Sequence, residues 1–123
     1  MATQMVHFEI PAGDTTKARA FWNGLFGWEF EAFRGSPTEY HMARVDDSSG
    51  AAIYAAEGDK RGTRVYFGVD DINAGAARVN ELGGSGGEAM PVPNMGWFAM
   101  CTDVEGNEFG LWQTDPNASM PER

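Results

Sequence analysis

Cysteine is nearly absent. Cys101 is the single one among 123 residues, which excludes an intramolecular disulfide and any cysteine-built zinc site. Basic residues are scarce as well: nine Lys and Arg face eighteen Asp and Glu, for a net charge of −9. Such a chain repels a phosphate backbone, so no nucleic-acid partner is expected. Long apolar runs are missing too, since no stretch approaches the ~20 residues that cross a bilayer. The opening Met-Ala-Thr-Gln-Met lacks the basic start and apolar core of a secretory signal. These absences lead to the expectation of a soluble, cytoplasmic protein with no membrane partner. What is present is ordinary for a folded domain, 42% hydrophobic and 22% charged residues, at a length that needs no disulfide or metal staple. The sixteen glycines are the one excess.

Val6-His7-Phe8-Glu9-Ile10 alternates apolar and polar side chains, the pattern of a strand with one buried face. Pro11-Ala12-Gly13 breaks it, and Asp14 is placed to cap a helix, its carboxylate accepting N–H bonds from the first turn. Ala18, Phe21, Trp22, Leu25 and Phe26 then form one apolar helical stripe, with Trp22 read as core, and Gly27 stands at the stop. Strands are predicted from Trp28, over Tyr40–Val45 and over Ala51–Ala55, with turns at Arg34–Thr38 and Asp46–Gly50.

The pattern then repeats. Arg64–Val69 reads as a strand, Asp71 as a cap, Ile72–Leu82 as a helix and Gly83-Gly84 as its end. One offset of 57 positions lays Asp14 on Asp71, Leu25 on Leu82, Gly27 on Gly84 and His7 on Arg64. A shared offset for cap, stripe and stop indicates an internal duplication, each copy a strand, a helix and three more strands. The later strands of the second copy fall near Glu88–Pro91, Trp97–Thr102 and Glu108–Gln113, with Asp103–Asn107 as a hairpin turn. The expectation is an α+β chain of two βαβββ modules, with curved mixed sheets enclosing a cleft and helices outside. Module 1 covers about 4–57 and module 2 about 62–114 of a single domain 1–123, with a loose tail over 115–123.

Two stretches carry a resemblance. His7-Phe8-Glu9-Ile10-Pro11 leads to Phe21-Trp22 and Leu25-Phe26-Gly27-Trp28, and Met95-Gly96-Trp97-Phe98-Ala99 leads to Asp103, Glu105-Gly106-Asn107 and Phe109-Gly110-Leu111-Trp112. With the doubled βαβββ pattern, these resemble the glyoxalase/bleomycin-resistance/extradiol-dioxygenase superfamily, the vicinal-oxygen-chelate fold, and within it a subgroup related to lactoylglutathione lyase. The resemblance spans nearly the whole chain. It implies isomerases, dioxygenases, thiol transferases and drug-sequestering proteins alike, because one scaffold hosts them all.

The superfamily's enzymes typically hold a divalent metal through His, Glu or Gln on the first and last strands of each module. Carried over residue by residue, His7 matches the first ligand. Its counterpart in module 2 is Arg64, always cationic and no ligand. A Glu expected in the last strand falls on Gly110, and the module 1 counterpart falls on Ala52 or Ile53. No metal and no other cofactor is therefore expected. Strand alternation groups His7 with Glu9 and Arg64 with Tyr66, while Trp112 shares the face of Gly110. These five, with Trp97, are the candidate ligand-binding residues, and His7 and Glu9 are the candidates for acid–base catalysis. His41 is read as surface or pocket rim, and Cys101 as a small buried hydrophobe.

Two functions follow. One is a metal-independent module that binds a small molecule in its cleft, as the drug-resistance branch does, the −9 charge and the aromatics favouring a cationic or flat guest. The other is an enzyme, a lyase, isomerase or oxygenase acting on a small oxygenated substrate with His7 in its active site. The resemblance, together with exposed sheet edges, also implies a homodimer.

Overall fold

The alternating opening segment forms a strand as its pattern requires. In the computed structural model, which describes residues 4–58 and 62–119, this strand is β1, Gln4–Ala12. It is followed by α1 (Thr15–Phe26), β2 (Glu31–Ala32), β3 (Tyr40–Arg44) and β4 (Gly50–Ala55). The same order then recurs as β5 (Arg64–Gly68), α2 (Ile72–Glu81), the short β6 (Ser85–Gly86) and β7 (Met90–Val92), β8 (Gly96–Thr102) and β9 (Glu108–Thr114). The chain is α+β and doubles a βαβββ plan, the second copy dividing its first return strand into β6 and β7. No helix among the described residues is long and apolar enough to cross a membrane.

The helix caps repeat at the expected offset. Asp14 accepts a hydrogen bond from the Lys17 amide at 3.1 Å, and Asp71 accepts one from the Ala74 amide at 3.1 Å. Each satisfies one of the donors that a helix start leaves without an intrahelical partner. The stops do not repeat so closely. Gly27 ends α1 in the left-handed region at φ 76°, as expected. In the second copy Gly83, at φ 98°, is the left-handed residue rather than Gly84.

Contacts within the chain divide it into two compact units, one covering Val6–Val65 and the other chiefly the residues from Tyr66 onward. In the first, the strand order is β2-β3-β4-β1. β1 runs parallel to β4, with Glu9 opposite Ala52, and β3 runs antiparallel to β4, with Met42 opposite Ala52. Helix α1 packs over one face of this sheet. Phe8 meets Trp28 edge to face at 5.8 Å, and Ala51 and Ile53 are fully buried. His41 points to this face too and is buried rather than at a rim. Its ring meets Glu39 at 2.9 Å, and Glu39 accepts the Thr15 hydroxyl at 2.6 Å, so the start of α1 is tied to β3. Residues 27–30 form no strand. Trp28 instead stacks on Trp22 at 5.5 Å and packs against Phe26 at 5.0 Å. The apolar stripe of α1 is correspondingly less buried than its spacing implies. Trp22 is half-buried, and Phe21, Leu25 and Phe26 stay 60%, 56% and 57% exposed.

In the second unit, β5 runs parallel to β9, and β9 pairs antiparallel with β8 along its whole length. β6 and β7 both add to β8. Helix α2 covers the face whose core is Ile72, Ala99, Cys101 and Leu111, with Val69, Val79, Ala89, Trp97 and Phe109 packed around it. Cys101 is a free, buried thiol, as its setting in the strand suggests. The residues after β9 are pinned rather than loose. The Asp115 amide donates to the Met95 carbonyl, the Asn94 amide donates to the Ala118 carbonyl, and Ala118 is buried. The end of the expected tail, 120–123, lies outside the described residues.

Candidate functional site

β1 turns Val6, Phe8 and Ile10 toward α1, so the alternation of the pleat turns His7 and Glu9 to the face without a helix. The register of β3 and β4 places Tyr40, Met42 and Tyr54 on that same face. There the side chains form a continuous hydrogen-bonded chain. Tyr40 donates its hydroxyl to Glu9 Oε2 at 2.6 Å, and Arg64 Nη1 donates to Glu9 Oε1 at 3.3 Å. His7 Nε2 lies 2.7 Å from the Tyr40 oxygen. Because the single phenolic proton is directed to Glu9, His7 must be the donor in that contact. That contact requires a proton on Nε2. Burial lowers the His7 pKa from its ordinary 6.5, opposed by the charge of Glu9. The His7 and Tyr40 rings also stack, with centroids 6.3 Å apart.

Glu9 and Arg64 form a partly screened pair, their side chains 11% and 27% exposed. Three of the candidate ligand-binding residues, His7, Glu9 and Arg64, are thus joined in one network through Tyr40. Tyr40, the centre of the network, is the residue that sequence reasoning missed. Its neighbour His41 drew attention as the more obvious chemical group, yet it belongs to the opposite face.

In the second unit the helix-free face carries Tyr66, Phe98, Met100, Gly110 and Trp112, as the pairings Tyr66 with Gly110, Phe98 with Trp112 and Met100 with Gly110 require. Here glycine creates room for rings. A Cβ at Gly110 would stand 2.2 Å from Tyr66 Cδ2, and a Cβ at Gly96 would stand 2.6 Å from Trp112 Cζ2. Tyr66 is therefore seated on Gly110, and Trp112 on Gly96, where its Nε1 donates to Thr114 at 3.0 Å. Tyr66 and Trp112 thus share the helix-free face. Trp97 does not join them. Its pairing with Gln113 places it on the helix-covered face, and its Nε1 donates to Asp115 Oδ2 at 3.0 Å.

The metal implied by the superfamily's enzymes does not fit the residues present. The strand register resolves the module 1 counterpart of Gly110 as Ala52, because Glu9 faces Ala52 as Tyr66 faces Gly110. Ala52 is fully buried and has no donor. The space beside Gly110 is filled by the Tyr66 ring. Arg64 adds a fixed positive charge, which repels a divalent ion at short range. Among the described residues no three His, Cys, Asp or Glu side chains converge as a ligand set.

Comparison with known proteins agrees with this architecture. A family model described as a glyoxalase-like domain matches residues 5–112. A glyoxylase-like domain-containing protein from Didymella fabae is 30% identical over 117 residues, covering 88% of this chain and 91% of that protein. Among solved structures, methylmalonyl-CoA epimerase in complex with methylmalonyl-CoA and NH4+ has a TM-score of 0.75 at 17% identity, covering 98% of this chain and 100% of the other. The Mycobacterium tuberculosis methylmalonyl-CoA epimerase has a TM-score of 0.70 at 17% identity, covering 91% and 88%. At these identities the likeness to the solved structures is one of fold.

Proposed function

This chain belongs to the glyoxalase-like domain family, and from that premise we propose that it binds a small oxygenated molecule without a metal ion. The observation that carries this reading is the His7–Tyr40–Glu9–Arg64 chain of hydrogen bonds. Arg64 is the recognition group. A guanidinium presents donors in a planar fork that suits a carboxylate or a pair of oxygens. The bond from Arg64 to Glu9 is long at 3.3 Å, whereas the Tyr40 bond to Glu9 is short at 2.6 Å. Glu9 therefore keeps a strong donor when Arg64 turns to a ligand. Trp112, half-buried and seated on Gly96, gives the second unit a flat aromatic surface of its own, with Tyr66 buried beside it on the same face.

The test is a thermal-shift and calorimetric screen of small carboxylates and hydroxy-ketones against wild type and Arg64→Ala. Arg64→Ala should abolish binding of whatever the wild type selects while keeping the circular-dichroism spectrum. Undiminished affinity in a well-folded variant would overturn the assignment. A chelator should leave the melting temperature unchanged, and stoichiometric metal bound at His7 would refute metal independence.

An enzymatic reading is favoured by one specific feature, the burial of His7 beside Tyr40 and Glu9. A histidine whose pKa is lowered by burial can exchange a proton with a bound molecule near neutral pH, and Tyr40 and Glu9 lie within hydrogen-bond reach to relay one. This is acid–base chemistry of the lyase or isomerase class. Incorporation of solvent deuterium into a bound ligand, lost in His7→Gln, would establish it over simple binding.

The proposal extends to a cytoplasmic homodimer. The buried free thiol of Cys101 suits a reducing compartment. Phe21, Leu25 and Phe26 expose an apolar face on α1, and Ala20 to Gly27 carries no charge in a chain whose net charge is −9. Sedimentation analysis should give a dimer that Phe21→Ser weakens, and a monomer at high concentration would sink this part.

A further inference from the structure

A cavity of about 330 Å³ opens beside the start of α2 on the helix-covered face of the second unit. It lies on the opposite side of that sheet from Tyr66 and Trp112. Ile72, Asn73, Glu88, Ala89, Trp97 and Gln113 line it. Its volume falls at the lower end of the range for small-molecule sites.

The lining has a definite chemical character. Ile72, almost fully buried, and Ala89 are apolar. Trp97 supplies an aromatic wall whose N–H is committed to Asp115. That carboxylate is held below the usual range, chiefly by the Trp97 bond and then by the Asn117 amide, and so stays ionised. An indole donating to an anion has a more electron-rich ring, and the face of such a ring attracts cations. Gln113 is fixed because its Oε1 accepts the Ile72 amide at 2.9 Å, and the oxygen has a second lone pair to offer. Glu88 adds an exposed carboxylate. No Lys, Arg or His is among these lining residues, so the charge of Glu88 meets no opposing cation within the lining.

From this set we infer that the cavity is a second ligand site, which takes a small planar cation such as an amidinium or a protonated heteroaromatic amine. The cation stacks on Trp97, its N–H groups reach Glu88 and the Gln113 carbonyl, and its apolar body rests on Ile72 and Ala89. The site is independent of the Arg64 network, which carries the opposite charge preference in its recognition group. It also gives Trp97 a role that the helix-free face does not.

Benzamidine is the probe, with neutral benzamide as its isostere. In a titration followed by nitrogen–proton correlation spectra, benzamidine should move the Trp97 indole and Gln113 side-chain amide resonances saturably. Benzamide should bind about tenfold more weakly, the loss expected when a cation–π contact and a charge pair are removed together. Glu88→Gln should weaken benzamidine by a smaller factor, about two- to fivefold, because the carboxylate it removes is exposed. Glu105→Gln, the same charge change in an exposed turn, should leave its affinity unchanged. Saturable shifts confined to residues around Glu9, equal affinities for the two probes, or equal effects of the two substitutions would each overturn the inference. So would the absence of any saturable shift.

Discussion

His7 is held neutral because losing water costs its imidazolium more than the charge of Glu9 returns. This makes a pH dependence calculable in sign. The folded chain binds the His7 proton more weakly than the unfolded chain, whose value is near 6.5, so protons favour the unfolded state. Stability is fully present above that value and is lost as pH falls through the lower folded value. Urea midpoints measured from about pH 8 to about pH 5 should therefore decline, and His7→Asn should flatten the decline. A midpoint that rises toward pH 5 would contradict this account. The carboxylates of Glu39, Asp46, Asp103 and Asp115, which hydrogen bonds hold below their usual range, act at lower pH and leave that window to histidine. Tyr40→Phe tests the same network from its centre. It leaves Glu9 Oε2 and His7 Nε2 without the shared hydroxyl and should cost about 2 kcal/mol in denaturant unfolding. A neutral substitution would show that the hydroxyl is dispensable. His7 and Glu9 were legible from alternation in a strand with one clearly apolar face. Tyr40 was not, because Tyr40-His41-Met42-Ala43-Arg44 is amphipathic on both faces, and only the pairing of β3 with β4 says which face is which.

At the level of elements, the caps at Asp14 and Asp71 were readable because capping is local chemistry, set by one side chain and the amide three residues on. The fate of the α1 stripe was not local. Periodicity shows that Phe21, Leu25 and Phe26 share a face, but not whether a surface of this chain covers it. The short β2 and the split of β6 from β7 were also hidden, since two- and three-residue pairings carry no period. β5 and β9 show what register adds. Tyr66 and Gly110 lie 44 positions apart in sequence, yet they form one packing unit. Gly110→Ala should destabilise the fold by about 1–3 kcal/mol, the range for overpacking. Tyr66→Ala in the same chain should return part of that loss, as contacting sites do in double-mutant cycles. Additive effects would mean that the ring is not what the Cβ meets. Gly96→Ala should cost more, because its Cβ meets the Gln113 carbonyl at 2.3 Å and backbone yields less readily than a ring.

For the molecule as a whole, the duplication was the most legible feature, since one offset related a cap, a stripe and a strand with two inward polar residues. Its chemical divergence was legible as well, in Arg64 for His7 and Tyr66 for Glu9. The seating of rings on glycines was not, because it depends on which strands become neighbours. The overall charge of −9 sets a further expectation. Two copies repel at long range, so the proposed dimer should tighten as salt rises from about 0.01 M to about 0.15 M, where the Debye length contracts from roughly 30 Å to roughly 8 Å. Sedimentation at the two ionic strengths measures this, and a dimer weakened by salt would point instead to an interface held by ion pairs.

The ring of Tyr66 over Gly110 also has an evolutionary consequence. A metal centre cannot be built on this arrangement one substitution at a time. Gly110→Glu alone drives a side chain into the ring, Tyr66→Ala alone leaves a void, and Arg64→His alone removes the cation beside Glu9. Each intermediate is worse than its starting point before any ion can bind, so the arrangement acts as a ratchet. Single substitutions on this scaffold therefore reshape the aromatic surface more readily than they assemble a ligand set for an ion.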